Sequence, residues 1–462
     1  MSELPQGWIL APLTSLLQSL RDGTHTPPER TPQGVPLLSA RNIQNGHIDW
    51  REAYSYITEE NYLAIQRTNP VSEGDVLLTI VGSIGRSCVN RTSDRFTVQR
   101  SVAIARPDPS LTNTEYLSLL FRAPQFQGTL ESLASGTAQR GVYLGALKEI
   151  SILLAPLNEQ RRIVAKLEKL LSRVDAAQAR LATIPHILKR FRQSVLAAAC
   201  SGKLTADWRE KNGIGQEYEP AIIGDVADYV GGFAYRSPTF TKSGANQVIR
   251  IGNVRPFSLK LDASPVFIPD EIGKATERFQ LVPDDIVISM TGTKYKKDYG
   301  NAAIVTRTDH KLFLNQRVSR LRCKKKVLPL FMLYWFQTDI FRDFFFEGET
   351  GNVNQGNIGA DGIRKAPIEL PSLSEQQEIV HRVEALFKTG DVLEARYRKA
   401  KAHVDKLTQS ILAKAFRGEL VPQDPTDEPA SILLERIRKD RGLGNEKSES
   451  VNRRRHQTKR RL

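Results

Sequence analysis

At 462 residues the chain is long enough for two or three domains with cores of their own, and its 40% apolar content is that of a globular protein. Sixty-six Lys and Arg against 51 Asp and Glu leave +15; residues 446–462 carry seven basic and two acidic side chains, so +10 is spread over the body, a balance that favours nucleic acid as the polyanionic partner. No run approaches the roughly 18–20 apolar residues of a membrane helix, the first residues lack a signal-peptide pattern, and Cys88, Cys200 and Cys323 form no CxxC pair, so the expectation is a cytoplasmic protein with reduced thiols and no membrane partner.

Residues 1–156 read as short β-rich runs bounded by turn residues, with a helix over 114–123. A helix over 158–201 follows, with Asn158 as its N-cap and Gly202 as its left-handed C-terminal residue. Its apolar positions Ile163, Leu167, Leu170, Val174, Ala177, Leu181, Ile184, Leu188, Phe191 and Val195 alternate steps of four and three, a heptad seam that asks for a partner helix. Pro185 lies inside this seam and predicts a kink without a change of phase. From residue 212 a second β-rich stretch runs to 372, with a helix over 329–342, and leads into a second long helix. There Ser374 with Gln377 has capping-box spacing, Gly418 matches Gly202, and the seam runs through Ile379, Val383, Leu386, Gly390, Leu393, Tyr397, Ala400, Val404, Leu407 and Ile411. Gly390 leaves a small hole in it.

The two halves repeat one another. Leu157-Asn-Glu-Gln160 returns as Leu373-Ser-Glu-Gln376, Gln193-Ser-Val-Leu-Ala197 as Gln409-Ser-Ile-Leu-Ala413 and Gly202-Lys-Leu204 as Gly418-Glu-Leu420, always at an offset of 216. Upstream the match is looser: Ala40-Arg-Asn-Ile43 faces Ile251-Gly-Asn-Val254, Gly74-Asp-Val-Leu-Leu-Thr79 faces Asp284-Asp-Ile-Val-Ile-Ser289, and Gln99-Arg100 faces Gln316-Arg317. A helix over 158–201 would be about 65 Å long, whereas the connection over 205–220 reaches at most about 50 Å, so the two long helices are expected to run antiparallel. The predicted fold is α+β: two mixed α/β domains at opposite ends of an antiparallel two-helix coiled coil, related by an internal pseudo-two-fold repeat. The seam would span roughly 14–19 base pairs of B-DNA, so two such domains would read two half-sites with an unread gap between, and their differing loops would make the half-sites differ.

These motifs carry a resemblance. Pro-Leu-Asn-Glu-Gln-Arg-Arg-Ile163, the stretch from Ile184 to Leu196 with Gly202-Lys-Leu204, their second copies from Ser374 and from Leu407 to Gly418, and the opening Leu4-Pro-Gln-Gly-Trp8 resemble the specificity (S) subunits of type I restriction–modification systems, over nearly the whole chain to about residue 440. The resemblance divides the chain into target recognition domain 1 (1–156), a first conserved spacer helix (157–211), target recognition domain 2 (212–372), a second conserved spacer helix (373–420) and a C-terminal helix with a basic tail (421–462). It implies a non-catalytic subunit without a cofactor that binds a bipartite, asymmetric site in double-stranded DNA. Two modification subunits would dock on it to methylate adenine N6 with S-adenosylmethionine, and restriction subunits would join using ATP and Mg²⁺. A stand-alone bivalent DNA-binding or architectural protein is the alternative. The outward faces of the helices, with Arg161, Arg162, Lys189 and Arg192, are candidate docking surfaces.

Base reading needs Arg, Lys, Asn, Gln, Ser or Thr on loops that approach DNA closely. Four loops qualify. Gly82–Arg86 offers Ser83 and Arg86, and 135–140 offers Thr137, Gln139 and Arg140. The counterparts are 291–297, with Thr293, Lys294, Tyr295, Lys296 and Lys297, and 351–355, with Asn352, Asn354 and Gln355. Arg21–Thr26, Arg41-Asn42, Arg236 and Asn253 are secondary choices. Enzymatic motifs are missing from the sequence: no GxxxxGK[ST], no GxGxxG, no Asn/Asp-Pro-Pro-aromatic motif and no HExxH. Pro283-Asp284 with Asp309-His-Lys311 fits the loose nuclease pattern PD…(D/E)xK, but its counterpart Ser72-Glu-Gly-Asp75 precedes a strand as a turn, and a turn is the reading adopted.

Overall fold

The computed structural model describes residues 4–136, 140–215, 218–294, 296–351 and 355–439. The chain divides into two compact units, 1–181 with 400–462, and 182–399.

In the first unit, an antiparallel sheet has the order Leu17–Asp22, Val102–Pro107, Val76–Thr79, Ser87–Val89. Its inner strand Val76-Leu-Leu-Thr79 is apolar almost throughout because both faces are covered. One face packs with helices Thr114–Phe121 and Pro124–Leu133 into the main core, and the other face packs Leu77, Cys88, Val102 and Ile104 against Leu38, Ile43, Phe96 and Val98. A smaller sheet (Ser55–Ile57, Val35–Leu38, Thr97–Val98) and the hairpin Ile43–Gln44/His47–Ile48 supply that second layer. Strand Ile9–Pro12 pairs with Ser151–Leu154, which hands the chain to the first long helix, Leu157–Cys200.

The second unit repeats this plan. Its main sheet runs Ala227–Gly231, Val318–Cys323, Ile286–Ser289, Ala302–Ile304; a second sheet runs Phe267–Ile268, Asn246–Ile249, Lys311–Leu314, Gln280–Leu281. Strand Glu219–Ile222 pairs with Pro367–Leu370, which leads into the second long helix, Leu373–Ala415. The helix expected over 114–123 is followed by a break, and the one expected over 329–342 is broken within its span. The first ends at Phe121 and a new helix starts at Pro124; the second ends at Phe336, and Thr338 caps a separate helix Asp339–Glu347 by accepting the Phe341 amide.

The long helices run antiparallel. Ile163, Val164 and Leu167 share the core of the first unit with Leu412, Ala415 and Phe416; Val195, Leu196, Ala199 and Cys200 share that of the second with Ile379 and Val383. The first helix continues through Pro185. The seam differs from expectation in its second copy, where Leu393 is 48% exposed. There Arg192 reaches Asp391 at 2.7 Å and Glu394 at 3.0 Å, an ionic contact in place of an apolar one. The hole at Gly390 is taken by the Phe191 ring, whose edge lies 3.5 Å from where a Cβ would stand.

The Leu-x-Glu-Gln repeat is explained by what it holds together. Gln160 donates to the carbonyls of Leu111 and Ala155 (2.9 Å each) and accepts the Asn113 amide (2.9 Å). Gln376 does the same with Lys326, Pro371 and the Leu328 amide. Glu159 accepts from the Trp8 indole at 3.0 Å and Glu375 from the Tyr218 hydroxyl at 2.9 Å, each aromatic standing just before the first strand of its domain. These buried polar brackets bolt each domain to the start of its own helix. The helix starts themselves correct the capping assignment. Leu157 and Leu373 are the first helical residues, so Asn158 lies in the first turn, and Ser372, not Ser374, accepts the Glu375 amide (3.3 Å). Gly202 and Gly418 hold the expected left-handed conformation at φ 75° and 77°.

Candidate nucleic-acid interface

In each unit three turns converge at one end of the main sheet, and backbone hydrogen bonds put them in register between the units. Gly85 and Gly300 close equivalent loops by donating to Thr79 O and Ser289 O. Val142 and Ile358 return equivalent loops to the sheet by donating to Ile80 O and Met290 O. Ile80 and Met290 themselves donate to Ser101 O and Arg317 O of the third turn. The loops assigned from sequence are therefore true counterparts, and each pair is juxtaposed. Gly82 donates to Arg140 O at 3.1 Å, while Thr291–Gly292 pairs with Gly356–Asn357 and Lys294 Nζ donates to Gly351 O at 3.2 Å.

The loops differ in reach. Between Val81 and Arg86 stand four residues (82–85), between Thr291 and Asn301 nine (292–300), so the second unit's loop is five longer. The longer loop is braced: Asp298 accepts the Thr293 amide at 2.7 Å, and Arg342 donates to Lys297 O at 2.9 Å with its guanidinium over Phe346. Backbone donation holds the Asp298 carboxyl below its usual value, so the brace stays charged at neutral pH.

Beside these turns each unit has an open groove. In the first it is about 700 Å³, lined among others by Arg30, Arg41, Tyr54, Ser83, Gln99 and Arg100. In the second it is about 330 Å³, lined among others by Gly252, Arg255, Thr293, Asp298, Arg317 and Gln355. Both are walled by the same three segments, which in the first unit are 39–41, 81–83 and 99–101. Tyr54 stands edge-on to Trp50 in the first unit; among the described residues lining the second unit's groove, Tyr299 is the aromatic one.

Of the residues assigned from sequence, Ser83 and Thr293 line the grooves and Gln355 reaches the edge of the second; Lys296 and Lys297 are exposed beside it, and Arg86 is half-buried at the loop's end. Arg140 is exposed and paired with Glu131 at 2.6 Å, a surface contact worth at most about 1 kcal/mol and easily exchanged for a phosphate. Thr137, Gln139, Tyr295, Asn352 and Asn354 lie outside the described residues, as does the basic tail beyond residue 439.

Several secondary choices are corrected. Asn42 and Asn253 are 0% and 2% exposed and are brackets, each accepting an amide three residues back and donating to two carbonyls across the following hairpin. Arg162 and Arg192 are not free docking cations: Arg162 is paired with Asp427 at 2.6 Å and Arg192 with Asp391 and Glu394. Arg161 and Lys189 remain exposed. Arg100 and Arg317 went unassigned although the Gln-Arg repeat had marked them.

The nuclease-like residues are structural. Asp284 sits in a left-handed turn at φ 71°, the place of Gly74 at φ 86° in the first unit. Asp285 is fully buried, accepts the Val282 amide at 2.8 Å and pairs with Arg322 at 2.7 Å; Asp75 does the same with Ser72 and Arg106. Among the described residues no group of three or more His, Cys, Asp or Glu is placed to hold a metal, and no helix is long and apolar enough to cross a membrane. Burial pushes the thiols of Cys88, Cys200 and Cys323 up to about 12, which makes them poor nucleophiles.

Comparison with known proteins gives the same frame. The family model for the type I restriction modification DNA specificity domain matches twice, over residues 12–186 and 216–402. The chain is 28% identical over 467 residues to the EcoKI specificity subunit of Escherichia coli K12, covering 97% of this chain and 98% of that one. It is 31% identical over 415 residues to the EcoDI specificity subunit of Escherichia coli, covering 81% and 87%. Among solved structures it shares the fold of a chain from a type I R-M system studied for complex assembly and conformational transition (TM-score 0.66, 20% identity, 91% of this chain and 100% of that one). It also shares the fold of the HsdS subunit from Thermoanaerobacter tengcongensis (TM-score 0.57, 19% identity, 90% and 98%). The chain belongs to the family of type I restriction–modification specificity subunits, whose role is recognition of DNA sequence.

Proposed function

We propose that this chain reads a bipartite, asymmetric site in double-stranded DNA, one half-site in each groove, with an unread gap between. It would scaffold two methyltransferase subunits that methylate adenine N6 and the restriction subunits that cut, working in the cytoplasm and contributing no catalytic group. In that assembly S-adenosylmethionine, ATP and Mg²⁺ belong to the partners, and this chain holds no cofactor.

The observation that carries the reading is the duplication of one groove-and-turn framework with different loops mounted on it. Equivalent hydrogen bonds fix the three turns in each unit, while loop length, charge and lining side chains differ. Shared framework with divergent readers is what two unlike half-sites require. Exposed Arg161 on the first unit, and on the second exposed Lys189 with Val392 beside Leu393, each 48% exposed, are surfaces offered to protein partners.

The test is a genome-wide map of N6-methyladenine in cells with and without the gene, the accompanying methyltransferase present. Loss of one bipartite motif of constant gap supports the proposal. An unchanged map returns the chain to a stand-alone bivalent DNA binder.

A further inference from the structure

We infer that Arg100 and Arg317 are the guanine-reading side chains of the two grooves, and that they approach DNA from different positions of the same turn. The inference rests on the grooves being DNA-binding surfaces and goes beyond that by naming the base and the residue that reads it.

The two Gln-Arg pairs look equivalent in sequence, but the backbone places them one step apart. Val102 donates to Gln99 O at 3.0 Å and Val318 to Asn315 O at 2.9 Å, which defines two four-residue turns, Gln99-Arg100-Ser101-Val102 and Asn315-Gln316-Arg317-Val318. Ile80 donates to Ser101 O and Met290 to Arg317 O, confirming that Arg317 stands where Ser101 does. The arginine is thus the second residue of the turn in one unit and the third in the other. Successive side chains on such a turn diverge, so each guanidinium enters its groove from its own direction.

The platform beneath them is rigid. Gly23 and Gly232 press against the turn so closely that a Cβ would lie 2.1 Å from Val98 O and 1.8 Å from Asn315 O. Gly23 donates to Val102 O and Gly232 to Val318 O, and Thr24 and Phe233 donate to Val98 O and Leu314 O, clamping both sides of each turn. An arginine on such a base loses little further backbone freedom on binding, which favours a defined bidentate contact.

Both side chains are free to make one. Arg100 and Arg317 are exposed, and among the described residues their guanidinium groups form no ion pair or hydrogen bond, whereas Arg91, Arg106 and Arg322 are each tied to a carboxylate. Asp298, the acid lining the second groove, is engaged by the Thr293 amide. Arg100 also borders the neighbouring concavity formed by Thr24, His25 and Pro27, so it stands on the wall between two recesses and not on an outer rim. A planar guanidinium aimed into a groove matches guanine O6 and N7, the commonest base-specific contact.

The experiment selects randomised synthetic duplexes with the full chain and its R100A, R100K, R317A and R317K variants, then repeats binding on the winning duplex with 7-deazaguanine at the affected positions. Thermal unfolding of each variant checks that the fold is retained, which is expected because both side chains are exposed. R100A is expected to lose preference for a guanine in one half-site about 10- to 100-fold while the other half-site stays intact, and R317A the reverse. The two guanines should lie at different distances from the gap. Wild type should lose about tenfold on 7-deazaguanine, and the matching alanine variant should be indifferent to it. Motifs unchanged in both variants would overturn the assignment, as would a uniform loss of affinity for all sequences with a lower salt slope, the mark of a phosphate contact. A wild-type chain that enriches no motif would refute the DNA-reading proposal itself, a distinct outcome.

Discussion

Replacing Glu375 by Gln is expected to destabilise the 182–399 unit by about 3 kcal/mol, while the same change at its repeat mate Glu159 costs little at pH 7. Both carboxylates are 1% exposed, yet their partners differ. Glu375 accepts from Thr205, Tyr218 and the guanidinium of Arg209, itself only 6% exposed and with its Nε already unpaired. Removing one charge of a buried pair strands the other, at about 3–5 kcal/mol. Gln keeps an acceptor for Thr205 and Tyr218, which puts the loss near the lower end. For a unit of this size about 3 kcal/mol is roughly 6–12 °C in the calorimetric transition.

Glu159 has no such cation in hydrogen-bond contact. Burial raises its carboxyl above the usual 4.5, only partly offset by the Trp8 and Gln423 donors and by the charge of Arg162. Its folded value therefore exceeds its unfolded one. The associated stability is fully present below the unfolded value and is lost as pH rises through the folded one. E159Q, neutral at every pH, should leave its unit at least as stable as wild type at pH 7, and the difference should close on acidification toward pH 4.5. Scanning calorimetry of the two variants between pH 4.5 and 8 decides it. Equal shifts for both, or an E375Q shift below about 2 °C, would refute the reasoning.

Two further outcomes follow from the turns. D284G relieves a left-handed aspartate at the place of Gly74, so it should be neutral or stabilise by up to about 1 kcal/mol with DNA binding retained, measured by thermal unfolding and an electrophoretic assay; Mg²⁺-dependent cutting abolished by this change would instead restore the nuclease reading. G232A drives a Cβ into Asn315 O and should cost more than about 2 kcal/mol or displace the turn that carries Arg317, read as a lower melting temperature and weakened DNA binding.

The long helices and their pairing were legible because they rest on side-chain chemistry that recurs: a 3.5-residue apolar period, buried Glu-Gln brackets and terminal glycines. The domains repeat a backbone plan more than a set of residues. Asp284 stands for Gly74 and Phe257, at φ 68°, for Gly46 at φ 93°, so matching letters misled where matching hydrogen bonds did not. The Gln-Arg pairs are the sharpest case, aligned by letter yet one residue out of step. Asn42 and Asn253 were read as DNA contacts because sequence does not distinguish a buried bracket from an exposed reader. Their shared position before a hairpin in both halves was the signal of a structural role. Arg30 and Arg255 had no motif to mark them, since a groove assembled from three distant segments leaves no local spacing.

The central claim, one chain reading two half-sites, is tested most directly by hydroxyl-radical footprinting of the full chain on its selected duplex, repeated with five base pairs inserted in the gap. Two protected segments flanking an unprotected gap, with affinity falling at least tenfold on insertion, are the expected result. One continuous protected segment, or binding indifferent to the insertion, would contradict it.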